Sequence, residues 1–255
     1  MRGMTISRSA ATKTLTTLAA LLLAGSLAGC NAASTAGTAV ADAVQSAAAE
    51  ATTAPAAPGA PAAQAPAANP GETAAAVTAL ATIEVKGRAP KTGYSRDEFG
   101  PSWSDTDRNG CDQRNDILAR DLTAETLEPN NCVVLTGTLA DKYTGKTISF
   151  VRGNKTSTLV QIDHIVPLSD AWQKGAQQIS AEQRKQLAND PLNLMAADGP
   201  TNGSKGDKDA ATWLPPNKAF RCEYVARQTA VKAKYKLWMT QAEHDAIAGI
   251  LAGCK

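Results

Sequence analysis

Histidine is scarce in this chain, with two among 255 residues. Aromatic residues are few as well, at 4%. Neither sign of charge dominates: 26 Lys and Arg stand against 24 Asp and Glu. Each shortage excludes something. A nearly balanced chain is no polybasic nucleic-acid binder by composition. Any phosphate contact must come from local patches such as Lys142, Lys146, Arg152, Lys155 or the region 218–236. Cys-x-x-Cys spacing is missing, which argues against a zinc site. No period of a few tens of residues stands out, so a repeat architecture is not indicated.

The first 82 residues contain no aromatic residue at all. They open with Arg2, Arg8 and Lys13, followed by an Ala/Leu-rich run from Leu15 to Leu27 and then Ala28-Gly29-Cys30. This is the layout of a secretory signal, too short to be a convincing membrane span. Its end resembles the bacterial lipobox, in which the cysteine becomes the lipidated first residue. The alternative is an ordinary cleaved signal with an incidental Cys30. Residues 1–29 are therefore expected to be the signal. Residues 30–82, rich in Ala, Thr and Pro, have too little bulky apolar surface to offset chain entropy and read as a disordered tether. The expected location is outside the cytoplasm, either anchored by lipid or secreted. Membrane contact would come through the anchor alone, and no obligate protein partner is indicated.

Residues 83–255 suit one domain. All the Trp, Tyr and Phe lie there, with 23 basic and 21 acidic residues. Beyond Cys30 remain Cys111, Cys132, Cys222 and Cys254, an even number in a chain with an export signal, so two disulfides are expected. Three pairings are possible. Cys111–Cys132 with Cys222–Cys254 is preferred, because each closes a modest loop within one half of the domain.

Strands are expected at residues 82–86, 132–139, 147–152 and 159–166, the last rich in β-branched residues. Helices are expected over 114–121, from Ser169 to Asn189 with a fresh start near Ala181 at the capping box Ser180–Gln183, from about Lys205, over 218–235 and over 241–252. Residues 192–197 read as a short strand or loop, and 199–204 as a turn. The fold class is α+β.

The chemistry concentrates in Ile162-Asp163-His164-Ile165-Val166-Pro167-Leu168 and the later Asn193 and Asn202-Gly203-Ser204-Lys205-Gly206-Asp207. Phosphodiester hydrolysis needs a nucleophilic water, relief of phosphate charge and help for the leaving oxygen. A neutral imidazole, here His164, can activate the water. A divalent ion held by a hard oxygen such as Asp163, with the Asn202 amide as a weaker second ligand, can do the rest. Adjacent strand residues face opposite ways, so Asp163 and His164 converge only if the strand bends or ends near Pro167. Asn193, by side chain or main chain, is a candidate to orient His164 through Nδ1, leaving Nε2 as the base.

These residues, in this order, resemble the HNH (ββα-metal) endonucleases. They are most similar to the secreted type whose domain is shared with the C-terminal part of GmrSD restriction enzymes. The resemblance implies a ββα-metal core with additional helices and short strands, and nucleic acid as substrate, DNA first and RNA second. It implies Asp163 and Asn202 as metal ligands, His164 as general base, Asn193 as its support, and Lys205 and Asp207 at the helix start or on phosphate. Asn202 stands where many members carry His, which favours Mg²⁺ or Mn²⁺ over zinc.

His244, beside Glu243 and Asp245, reads as a solvated helix residue. Asp105, Asp107 and Asn109 with Gly110 sixth and Asp116 twelfth resemble the start of an EF-hand calcium loop, but turn chemistry explains such a cluster equally well. Structural Ca²⁺ thus stays open. Trp103, Trp172, Trp213 and Trp238 are available to stack bases, with core packing the commoner role. Two other readings remain: a cell-envelope binding module with a degenerate site, calcium-stabilised, and a delivered toxin.

Overall fold

The computed structural model describes residues 70–129 and 131–254. The signal segment, Cys30 and the tether up to residue 69 lie outside the described residues. The first element, α1 (Pro70–Leu80), begins inside the stretch expected to be tether. Pro70 suits a first helical turn and the alanines favour helix. Ala76 and Leu80 are buried with Val225 and Ile247 of α6 (Arg221–Lys234) and α7 (Gln241–Leu251). Small side chains let these helices approach closely, so a segment without bulky residues still joins the core. Packed structure therefore starts before Ile83.

The architecture is α+β, as expected. Helix α2 (Gln113–Asp121) leads into β1 (Leu122–Leu127), β2 (Val134–Ala140) and β3 (Thr147–Val151), an antiparallel sheet in that order. β1 has no counterpart in the sequence expectations. Instead of the strand expected at 82–86 there is a single parallel bridge, Val85 to Met239. A separate two-stranded antiparallel sheet joins β4 (Val160–His164) to β5 (Leu194–Asp198), with Asp163 opposite Met195 and His164 opposite Leu194. Between them lie a single turn, α3 (Leu168–Ala171), a kink at Lys174-Gly175, and α4 (Ala181–Asn189). Gly175 sits at φ +121°, and a Cβ there would meet the Trp238 ring at 3.2 Å. The capping box on α4 forms as expected: Ser180 accepts from the Gln183 amide, and Gln183 accepts from the Ser180 amide.

Helix α5 (Gly199–Lys205) follows β5 directly, beginning where a turn was expected. Asp198 caps it by accepting from the Thr201 amide at 2.8 Å, with Pro200 in the first turn. Gly199 is required: a Cβ there would lie 2.1 Å from the Thr158 carbonyl oxygen. The run β4–β5–α5 is thus a strand–strand–helix unit.

Both expected disulfides are present, Cys111–Cys132 and Cys222–Cys254. A buried ion network, which sequence reading missed, ties the elements behind this unit. Lys174 bonds to Asp170 (2.7 Å), Asp209 (2.8 Å) and Glu243 (2.5 Å), and Lys232 to Glu243 (2.6 Å) and Asp170 (3.2 Å). Arg88 reaches Asp170 and Asp209 from the edge. Burial alone would raise the Asp209 carboxyl, but its bond to Lys174 holds it down at about 2.

Candidate active site

The site grows from the edge of β4. In the β4–β5 ladder the outer edge of β5 is covered. Asp121 accepts from the Ala196 amide (2.8 Å), Asp141 accepts from the Asp198 amide (3.0 Å), and Arg120 and Arg227 donate to the Leu194 carbonyl. The outer edge of β4 is covered only at its ends. Arg114 reaches the Val160 carbonyl at 3.4 Å, and Lys205 reaches that of His164 at 2.7 Å. A cleft of about 380 Å³ opens along this edge, lined by Asp163, His164, Asn202 and Asp207 among others. That answers the problem of opposite faces. Asp163 and His164 leave the strand on different sides, yet both border the groove along its free edge.

Asp163 is buried and firmly held. Tyr143 donates its hydroxyl to Oδ2, and the Lys205 ammonium donates to Oδ2 (2.8 Å) and Oδ1 (3.0 Å). Burial, then the Asp163 charge, pushes the Tyr143 hydroxyl well above its usual range, so it stays protonated and donates. Lys205 is fully buried and spends its three N–H groups on Asp163 and the His164 carbonyl. Its ammonium is a clamp on the strand.

His164 is buried between Ala188 and the Trp103 side of the domain. Its Nε2 lies 2.9 Å from the Ala188 carbonyl oxygen. A carbonyl can only accept, so Nε2 carries the proton and Nδ1 keeps the lone pair. This reverses the nitrogens expected from sequence. Burial, aided by the nearby Arg96 and Lys205 charges and opposed by the Ala188 bond and Asp163, lowers the imidazole to about 4. The ring is therefore neutral near pH 7, as a base must be.

Asn193 makes no hydrogen bond to the imidazole. Its side chain accepts from the Val166 amide (2.8 Å) and donates to the Leu187 carbonyl (3.2 Å), while its own carbonyl accepts from the Ile165 amide (2.7 Å). It fixes the chain just beyond His164 and so supports the base indirectly. Main-chain partners such as Ala188 leave no signature in a sequence. The Asn202 amide nitrogen donates to Gln161 (2.9 Å), leaving its oxygen lone pairs available. Asp207 accepts from Ser169 (3.1 Å) and pairs with Lys91 (3.2 Å) at the cleft wall.

Among the described residues no group of three or more His, Cys, Asp or Glu side chains is arranged to hold a metal. The site still fits a hard, mostly hydrated cation. Asp163 offers about four acceptor positions, of which Tyr143 and Lys205 use three. Asn202 adds an amide oxygen on the same cleft. Two oxygen donors with the remainder water is the style of Mg²⁺ sites.

The side chains of the Asp105–Asp116 segment converge and hydrogen-bond within it. Asp105 accepts from the amides of Asn109 (3.2 Å) and Gly110 (3.0 Å), and Asn109 donates its side-chain N–H to Asp107 (3.3 Å) and Asp116 (3.1 Å). His244 lies on α7 and is not among the residues that line the cleft.

The family model for the C-terminal domain of GmrSD restriction endonucleases matches residues 112–250. An uncharacterized secreted protein of Arthroderma benhamiae is 34% identical over 183 residues, covering 71% of this chain and 85% of that protein. No solved structure matches. The chain belongs to the GmrSD C-terminal domain family, which places it in a nuclease class. No helix among the described residues is long and apolar enough to cross a membrane.

Proposed function

We propose that the protein is an exported, metal-dependent endonuclease of the HNH type that hydrolyses phosphodiester bonds of DNA, and of RNA where it is offered. One observation carries this: Asp163, His164 and Asn202 border a single cleft on the strand–strand–helix unit. His164 Nδ1 takes the proton from the attacking water while Ala188 holds the ring by Nε2–H. Asp163 and Asn202 would hold a Mg²⁺ or Mn²⁺ ion, which when bound supplies charge relief at the phosphate and at the leaving oxygen. Tyr143 and Lys205 keep Asp163 in place. Export is supported by the N-terminal signal layout and by two disulfides, which persist in oxidising compartments. Lipid attachment at Cys30 belongs to the same proposal.

The test is plasmid nicking and RNA degradation by the oxidised protein with Mg²⁺, Mn²⁺ or chelator, beside His164→Ala checked for an unchanged circular dichroism spectrum. Metal-dependent cutting that vanishes in the folded variant is expected. Folded wild type that cuts nothing with any divalent ion would return the protein to the binding-module reading.

A further inference from the structure

The cleft at Asp163 does not end at His164. A second hollow, of only about 30 Å³, adjoins it, and the two share Arg96, His164 and Leu168 as lining. Their chemistries differ. The first is polar, with Asp163, Asn202 and Asp207. The second is bounded by Phe99, Pro101, Trp103 and Asn189.

Arg96 stands at the junction. Lys91 is paired with Asp207 and Lys205 is spent on Asp163, whereas Arg96 is exposed and has no hydrogen-bond or ion-pair partner among the described residues. It is held near the imidazole by a short helical turn, residues 96–99, whose Phe99 is buried. The Glu98–Arg184 pair (3.2 Å) pins the same turn to α4. Trp103 is half-buried against the cluster around Ile117 and Ile162 and lies nearly parallel to the His164 ring, 15° between planes and 6.4 Å between centroids. Its φ of +56° is a conformation that bulky residues rarely adopt, and surrounding structure must hold it there. The other tryptophans are differently placed: Trp172 and Trp238 are buried, and Trp213 packs edge-on against Tyr143 and Tyr224.

We infer that the two hollows mark one nucleotide subsite, in which Arg96 takes a phosphate oxygen at the junction and the exposed part of Trp103 stacks the adjoining base at the mouth of the smaller hollow. A guanidinium with free donors fits a phosphate fork. A base can lie on an aromatic face only when it is unpaired, so the preferred substrate is single-stranded nucleic acid. This rests on the nuclease reading and adds the strand state of the substrate.

The test uses the oxidised full chain with Mn²⁺ and a labelled single strand whose cuts are mapped bond by bond, beside the same strand in a duplex. Wild type is expected to cut the single strand at least about tenfold faster. Removing one base from the substrate should slow cutting at the adjoining bond by roughly tenfold to a hundredfold, a change made without touching the protein. Trp103→Ala should show the same loss on intact strand and no further loss on the abasic one, and Trp103→Phe should recover part of it. Arg96→Gln should raise KM with salt-sensitive binding lost, and Arg96→Lys should restore only part. Equal cutting of single strand and duplex, or indifference to the abasic position, overturns the subsite while leaving the nuclease reading standing. If wild type cuts nothing, fluorescence anisotropy of the labelled strand decides. Binding that depends on Trp103 and Arg96 keeps the subsite and sinks only the nuclease reading, and no such binding sinks both.

Discussion

Replacing Lys205 by Met should cost more stability than any surface lysine and should do so through Asp163. The ammonium is fully buried and donates to both oxygens of a carboxylate that is itself only 6% exposed. Removing one member of such a pair leaves the other charge buried, with Tyr143 as its remaining side-chain partner. The cost of breaking a buried pair this way is about 3–5 kcal/mol. For a domain of this size that is roughly 6–20 °C in melting temperature. Asp163→Asn should cost a similar amount, since it strands the ammonium. The double variant should be much less destabilised than the sum, with a coupling energy of at least about 2 kcal/mol, because no buried charge is then left alone. Urea unfolding of the four proteins in chelator closes the cycle. Additive losses, or a Lys205→Met protein as stable as wild type with only its substrate binding reduced, would refute the clamp and return Lys205 to the phosphate.

Three further outcomes are expected. In metal-free protein His164 titrates at about 4 against 6.5 for the ordinary imidazole. The unfolded chain therefore binds more protons between those values, and the stability this residue contributes is complete above pH 6.5 and lost as pH falls toward 4, about 3 kcal/mol in all. His164→Gln should remove that part of the acid slope in urea midpoints measured from pH 7 to 4, and an unchanged slope would count against a buried neutral ring. Replacing Cys111 and Cys132 by Ser opens a loop with a sequence separation of 21, worth about 3 kcal/mol in calorimetry, and a variant as stable as wild type would contradict the bridge. Lys174→Met should cost about 3–5 kcal/mol, since Asp170, Asp209 and Glu243 would lose a common partner, and a loss below 1 kcal/mol would mean the network is not closed as described.

Local signals were legible where the chain meets its own neighbours. The β-branched run around Ile162, the Ser180–Gln183 box and the even set of cysteines each act over short or countable distances, and each appears in the fold. What failed to show depends on distant partners. Helix α1 is Ala-rich and looks like tether until α6 and α7 are there to accept it. The early start of α5 was written in Asp198-Gly199-Pro200, a cap and a first-turn proline, but the glycine invited a turn instead. The hold on His164 comes from a main-chain carbonyl, which any residue at position 188 could supply. Arg96 sits some seventy residues from the motif in sequence, with no periodicity to mark it.

The near-neutral composition now has a structural meaning. Cations close to the cleft are mostly consumed: Lys205 by Asp163, Lys91 by Asp207, Lys174 and Lys232 by the buried acids behind the site. These pairs fix β4, α3, α5, α6 and α7 against one another, so the positions of Asp163, His164 and Asn202 are set by the fold before any ligand arrives. Little net charge is then left to hold a polyanion at long range, and affinity must come from contacts inside the groove. A cleft built this way should bind weakly to duplex backbone and depend on the few groups left at its rim, the unpaired Arg96 and the exposed part of Trp103 among them. Rigid charge compensation and selective contact are thus two sides of one arrangement: the lysines that order the site are unavailable to the substrate.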